Sequence, residues 1–95
     1  MAGIMLRRRD MDYVAIAFRS RSDTIKFSNF LKNNGFESEI VSTPKEAGIG
    51  CGLSVKTYPS MIPMMVTALK MANLKSFAGI FLVKTIGGKR YVKPL

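Results

Sequence analysis

The sequence has no histidine, one cysteine and only six acidic residues among its 95 positions. Imidazole is the usual general acid or base near neutral pH, so its absence excludes hydrolases built on a histidine-dependent triad. A single cysteine excludes an internal disulfide, which favours a reducing compartment, and we expect a cytoplasmic protein. With no histidine and one thiol, the chain lacks the usual soft ligands of zinc, copper or an iron–sulfur cluster. We therefore expect no metal and no cofactor.

Long apolar runs are also missing. No stretch approaches the ~20 apolar residues that cross a bilayer, so we expect no membrane partner. The length allows one domain and excludes a two-domain enzyme, and 47% hydrophobic residues are enough for a core. Arg7-Arg8-Arg9 follows a short apolar stretch, the reverse of the order in a secretory signal. We expect a flexible basic arm over residues 1–12 and a single domain over residues 13–95.

The first half of that domain predicts a strand and a helix. Tyr13–Phe18 is an unbroken run of apolar and β-favouring residues, which is typical of a strand covered on both faces. Ser20 stands three residues before Asp23, a spacing like that of a capping box, and apolar residues follow at helical intervals. These signals predict a helix over residues 21–33, which should end at Asn34-Gly35.

The following segments predict three further elements. Residues 36–42 indicate a short strand near a sheet edge, and residues 43–50 indicate a loop with at most one helical turn. Apolar and polar residues alternate over residues 51–57, as in a strand. An apolar stripe at helical spacing predicts a second helix over residues 61–72, with Pro63 tolerated in its first turn.

The C-terminal part predicts a hairpin. Residues 77–86 indicate a strand, Gly87-Gly88 a two-residue turn, and residues 89–93 a charged edge strand. The resulting order is β-α-β-β-α-β followed by one added strand. We predict an α+β fold of the ferredoxin-like type, a two-layer sandwich with an antiparallel sheet and a C-terminal hairpin.

The only cysteine falls at a suggestive place in that topology. The third strand should start beside the end of the first strand, so Cys51 should lie near the start of the first helix. Helix N-termini stabilise anions such as a thiolate, and Arg19 and Arg21 enter at the same place. Gly50 and Gly52 would leave the thiol uncrowded and let backbone N–H groups face a small anion or a persulfide.

The same residues also support an inert cysteine. Cys51 alternates with Leu53 and Val55, and free cysteines are among the most buried residues of globular proteins. The Gly-x-Gly-x-Gly run of residues 48–52 is also compatible with a simple turn. It is neither a dinucleotide-binding nor a Walker motif, because the strand–loop–helix context and a Gly-Lys-Ser/Thr ending are missing.

Residues 43–56, with the strand and Ser-x-x-Asp helix of residues 13–35 before them, resemble the putative selenium/sulfur carrier-like family. The resemblance covers roughly residues 13–83. Its specific part is a Pro-basic pair, at Pro44-Lys45, followed by Cys-Gly, at Cys51-Gly52. Members often carry Arg where Lys45 stands, and Lys offers a point charge in place of a planar fork. The arm before Met11 and the hairpin after Ile86 lie outside the resemblance.

The resemblance implies that the Cys51 thiol accepts sulfur or selenium and passes it on, and it places the basic residue of the motif at Lys45. Together with Arg19 and Arg21 from the topology, Lys45 is expected to offer positive charge. The resemblance also implies separate donor and acceptor proteins. One cysteine suffices for such a carrier, whereas a dithiol oxidoreductase needs a resolving partner. The resemblance therefore indicates a carrier or binding protein, not a complete enzyme.

Two other functions stay open. A net charge of +9 suggests anionic partners such as nucleic acid, although strand one offers only Tyr13 and Phe18 as aromatic residues and strand three offers none. The charge is equally compatible with a solvated surface. Alternatively, the domain is a binding or assembly module with a structural cysteine, forming a homodimer through an open sheet edge.

Overall fold

The computed structural model describes residues 12–48 and 52–95. Within them the chain forms five strands: β1 (Tyr13–Phe18), β2 (Glu39–Ser42), β3 (Leu53–Thr57), β4 (Phe77–Ile86) and β5 (Lys89–Pro94). It also forms two α-helices, α1 (Arg21–Asn33) and α2 (Ile62–Ala72), and 3₁₀ helices at Lys45–Ala47 and Pro59–Met61. The predicted order of strands and helices is therefore confirmed.

The strands form one antiparallel sheet in the order β2-β3-β1-β4-β5. Strand β1 is central, with Ala15 opposite Lys56 of β3 on one side and Phe81 of β4 on the other. Val14 to Phe18 have no exposed surface. An unbroken apolar run is stable only where both faces of its strand are covered, so the sequence prediction for this strand is confirmed.

The signals at the helix ends act as predicted. The Oγ of Ser20 accepts a hydrogen bond from the N–H of Asp23 at 3.1 Å, which satisfies one of the free donors of the first turn. Helix α1 ends at the predicted residue, and Pro63 lies in the first turn of α2. Helix α2 closes at Asn73, which adopts a left-handed conformation. No helix in the described part of the chain is long and apolar enough to cross a bilayer.

Both helices pack on the same face of the sheet. The buried residues that form this core come from two strands and the two helices: Val14, Ile16, Phe18, Phe27, Leu31, Val55, Met65 and Ala68. At its centre the rings of Phe18 and Phe27 lie 5.5 Å apart at 52°, a tilted contact that suits their quadrupoles. The core thus joins β1 and β3 to one side of each helix.

The opposite face is covered as well. Ala15, Ala17 and Ser54 point away from the helices and are buried. The hydroxyls of Thr43 and Ser54 lie 2.7 Å apart on this side, and the 3₁₀ helix at Lys45–Ala47 packs against β5. The segment after β2 therefore crosses the face opposite the helices.

The starts of two strands differ from the sequence prediction. Strand β2 begins at Glu39 and not at residue 36, because the N–H of Phe36 bonds the carbonyl of Leu31 and closes α1. Strand β3 begins at Leu53, since Gly52 has a φ of +97° and is not extended. The expected arm over residues 1–12 lies outside the described residues except for Asp12.

Candidate functional site

The start of β3 lies beside the start of α1, as the topology predicts. Ala17, next to the end of β1, pairs with Ser54 near the start of β3. The Oγ1 of Thr24 in the first turn of α1 lies 3.5 Å from the carbonyl oxygen of Leu53. Leu53, two residues after Cys51 in the sequence, thus begins β3 beside the start of α1.

Two of the predicted site residues, Cys51 and Gly50, lie outside the described residues. The role of the thiol and of Gly50 therefore stays a prediction. Gly52 is described: its carbonyl oxygen accepts a hydrogen bond from the N–H of Thr43 at 2.9 Å. This bond extends the β2–β3 ladder by one step, so it closes the base of the loop that carries Cys51.

Two predicted cations flank the N-cap of α1. Arg19 and Arg21 stand on either side of Ser20, and both side chains are exposed. The backbone of Arg19 is held, because its N–H donates to the carbonyl of Ser76 at 2.7 Å. The two guanidinium groups form no ion pair with any described acidic residue. They are free to serve an anion bound at this end.

A carboxylate already occupies part of the helix start. The Oδ2 of Asp23 accepts hydrogen bonds from the N–H of Ser76 at 3.1 Å and from its Oγ at 2.6 Å. The hydroxyl of Ser76, its backbone N–H and the charge of Lys26 together hold the pKa of Asp23 below its usual value, against a smaller effect of burial. This negative charge would repel a thiolate close to it, and the stabilisation of the Cys51 thiolate by Arg19 and Arg21 stays a prediction.

Sequence analysis identified Asp23 as a residue of the helix start and missed its partner. Ser76 lies 53 residues further along the chain, just before β4. No local pattern connects two such positions, because only the packing of β4 beside β1 brings them together.

The remaining predicted cation lies elsewhere. Lys45 is exposed and belongs to the 3₁₀ helix that packs against β5. Its neighbour Glu46 accepts hydrogen bonds from Arg90 on β5, with Nη2 3.1 Å from Oε1 and Nε 3.4 Å from Oε2. The structure therefore groups Lys45 with the hairpin and not with Arg19 and Arg21.

The pKa of Glu46 is lowered by two hydrogen bonds. The bond from the backbone N–H of Glu46 has the larger effect, and the bond from Arg90 follows. Pro44, which precedes Lys45, is buried, so the Pro-basic pair consists of one buried residue and one exposed charge. Sequence analysis did not identify Arg90, which lies beyond the resemblance.

A groove of about 870 Å³ lies at the far end of β3, near Lys56 and Tyr58. The Nζ of Lys56 lies 5.2 Å from the centre of the Tyr13 ring and 5.6 Å from that of Tyr58. It also lies 3.9 Å from Oε1 of Glu39. The cation is already engaged by two rings and a carboxylate, so this groove is a weaker anion site than the start of α1. The described residues contain no group of acidic or thiol ligands that could hold a metal ion.

Comparison with known proteins identifies a family. No curated protein and no solved structure matches the chain at a significant level. A family model described as "Putative Se/S carrier protein-like" matches residues 13–79, well over half of the chain. The match includes the Pro-basic pair and the Cys-Gly pair, and it ends before β5 begins. The chain therefore belongs to the Se/S carrier protein-like family.

Proposed function

We propose that this protein carries sulfur or selenium on Cys51, as a persulfide or a selenopersulfide. The observation that carries the proposal is its family, whose description names the cargo and whose match includes Cys51 and Gly52. No other cysteine exists in the sequence to form the covalent bond. Arg19 and Arg21, at the start of α1 beside the start of β3, are proposed to stabilise its thiolate.

The chemistry requires two displacements on one transferred atom. The Cys51 thiolate attacks the outer sulfur of a donor persulfide, R–S–SH, and a new S–S bond forms. The donor's S–S bond breaks, and R–S⁻ leaves with the bonding electron pair and takes up a proton from water. An acceptor nucleophile then attacks the outer sulfur and releases Cys51 as a thiolate. The transferred sulfur keeps its oxidation state throughout, and selenium would follow the same path through R–S–SeH.

The proposed transfer cycle requires two partner proteins. A donor protein supplies the persulfide and an acceptor protein removes it, so one thiol is enough and no resolving cysteine is required. We propose a cytoplasmic carrier and not a complete enzyme. The strand order β5-β4-β1-β3-β2, with both helices on one face, supports assigning the fold to the ferredoxin-like type with one added strand.

The test measures how fast Cys51 reacts with a small alkylating agent across pH, in the folded protein and in denaturant. We expect fast labelling of the folded protein and an apparent pKa below the ~8.5 of a free cysteine. Arg19→Gln and Arg21→Gln should raise that pKa, because each removes a positive charge near the thiolate. Lys32→Gln, in the last turn of α1 and so at the opposite end of that helix from Arg21, is the matched control and should leave it unchanged.

A second measurement tests transfer itself. After incubation with a low-molecular-weight persulfide, mass spectrometry should show the gain of one sulfur atom, which a thiol reductant removes. Cys51→Ser should gain none. Slow labelling of the folded protein, together with no sulfur adduct, would show that Cys51 is a buried structural residue and would end the carrier proposal.

A further inference from the structure

The charge of this protein is unevenly distributed along the chain. All six acidic residues precede residue 47, whereas residues 47–95 contain seven basic residues and no acidic one. Four of those seven, Lys84, Lys89, Arg90 and Lys93, belong to the β4–β5 hairpin. These four cations lie beyond residue 79, where the family match ends, so the family does not account for them.

The register of the hairpin gathers three of these cations around a tyrosine. Lys84 lies opposite Tyr91, and Lys89 and Lys93 lie two residues away from Tyr91 on the same strand. Alternate residues of a strand point to the same face and are about 7 Å apart. Leu82, opposite Lys93, packs against the core, so this is the face on which the helices lie.

The helices do not cover this part of the face. Tyr91 is 51% exposed, and the neighbouring Ile86 is 58% exposed. An edge strand needs only the charges to avoid aggregation. The half-exposed ring among the three ammonium groups is therefore not explained by the protection of the sheet edge. The cluster of Lys84, Lys89, Tyr91 and Lys93 is called the hairpin surface below.

The charge of the hairpin surface is not neutralised within the described residues. None of its three lysines forms an ion pair there. The fourth cation, Arg90, points to the other face and is paired with Glu46. The nearby carboxylate of Asp12 accepts a hydrogen bond from the N–H of Thr85 at 3.3 Å. The hairpin thus has one face tied to the protein and one cationic face turned outward.

The hairpin surface continues into a groove along β4. This groove, of about 460 Å³, lies between α2 and β4 and is bordered by Lys70, Phe77 and Leu95. Phe77 is 42% exposed. The N–H of Leu95 bonds the carbonyl of Ile80 at 2.8 Å, which holds the end of the chain along the groove. A ligand extended along β5 would therefore meet a second exposed ring and a fourth cation.

We propose that the hairpin surface binds single-stranded nucleic acid, with a base stacked on Tyr91 and phosphates bound by Lys84, Lys89 and Lys93. Cations spaced along a strand suit a chain of regularly spaced phosphates, and an exposed ring among them suits an unpaired base. In a duplex the bases are stacked on one another and cannot reach the ring. An acidic protein would also satisfy the lysines, but its carboxylates would gain little from the face of the Tyr91 ring, because that face carries partial negative charge. This role goes beyond sulfur or selenium transfer and does not depend on Cys51.

The first experiment tests the aromatic contact with a fluorescently labelled oligouridylate and the full chain, by anisotropy. Tyr91→Ala should weaken binding about 5- to 150-fold, the range expected for loss of one base–aromatic stack. Tyr91→Phe keeps the ring and should stay within about twofold of the unaltered protein. Circular dichroism of both variants verifies that the hairpin still folds, and equal affinity of a folded Tyr91→Ala variant would overturn the proposal.

The second experiment separates local contacts from net charge. Replacing Lys84, Lys89 and Lys93 by Gln should reduce the slope of log K against log salt by about 2, from ~0.7 per lost phosphate contact. The matched control replaces three exposed lysines outside the hairpin, Lys26, Lys32 and Lys75, by Gln and makes the same change in net charge. If both triple variants lose affinity equally, only general attraction is at work and the proposal is wrong.

Two further outcomes would also count against it. Arg7, Arg8 and Arg9 lie outside the described residues, and replacing all three by Gln should leave the Tyr91 effect intact. Loss of all binding in that variant would move the contact to the N-terminal arm. Polyglutamate serves as the acidic-protein probe: if it competes as well as the oligonucleotide does, and Tyr91→Ala does not alter its binding, the surface is a protein-docking site instead.

Discussion

Arg90 on β5 bonds Glu46 in the segment between β2 and β3, with its Nη2 3.1 Å from Oε1 of the carboxylate. The two residues are 44 positions apart. This contact joins the segment between β2 and β3 to a strand, β5, that lies outside the family match. It is the only ion pair that the described residues place between those two parts of the chain.

We predict that Arg90→Gln loosens the 3₁₀ helix at Lys45–Ala47 while the sheet stays intact. The N–H groups of Ala47 and Gly48 bond the carbonyls of Pro44 and Lys45 at 3.0 and 3.1 Å. Both amides should exchange with solvent faster in the variant, which hydrogen exchange by NMR measures. Arg90→Lys keeps the charge and should restore part of the protection. Unchanged exchange at both amides would mean that the ion pair does not hold this segment.

The Asp23–Ser76 contact predicts a defined dependence on pH. Because the pKa of Asp23 is lower in the folded protein than in the unfolded chain, the ionised carboxylate stabilises the fold above about pH 4. That contribution is lost as the pH falls through the folded pKa. Asp23→Asn should lower stability at neutral pH, and the difference from the unaltered protein should shrink as the pH falls below 4. Urea unfolding at several pH values measures this difference.

The exposed Glu37 supplies the control for that experiment, since Glu37→Gln removes one negative charge without touching Ser76. A stability difference between the Asp23→Asn variant and the unaltered protein that stays constant down to pH 2 would contradict the assigned cause.

Phe27 should be among the most costly positions in the core. It has no exposed surface and packs against Phe18, so Phe27→Ala should reduce the free energy of unfolding by about 3–5 kcal/mol. Ile25, two residues earlier on α1, is 42% exposed, and Ile25→Ala should cost less than about 1 kcal/mol. Chemical denaturation compares the two. Similar costs for both variants would show that the core does not centre on this face of α1.

Gly52 offers a test of how the cysteine loop is held. Its φ of +97° strains any other residue, although a Cβ would meet nothing within 4 Å. Gly52→Ala should therefore destabilise the protein by about 1–3 kcal/mol and also change the alkylation rate of the adjacent Cys51. Gly88→Ala, at a φ of +81° in the hairpin turn, carries a similar strain and should leave that rate unchanged. Equal rates in the two variants would show that Gly52 does not shape the thiol's surroundings.

Local signals were enough to predict most of the elements. Ser20 and Asp23 determine where α1 begins, because the cap bond is made within a single turn of the chain. The apolar run of β1 predicts a central strand, since only burial on both faces makes such a run stable. The family resemblance, and with it the proposed role of Cys51, also depends on residues that lie close together in the sequence.

Tertiary structure alone decided which distant groups meet. Phe36 is a residue type that favours strands, but its N–H bonds the carbonyl of Leu31 at the end of α1. Strand β2 therefore starts three residues later. Ser76 meets Asp23, and Arg90 meets Glu46, because β4 pairs with β1 and β5 pairs with β4. The alternation of apolar and polar residues predicts to which face of its strand a residue points. It does not predict which residues are its neighbours on that face, because these depend on the order in which the strands pair. That order grouped Lys45 with the hairpin rather than with Arg19 and Arg21.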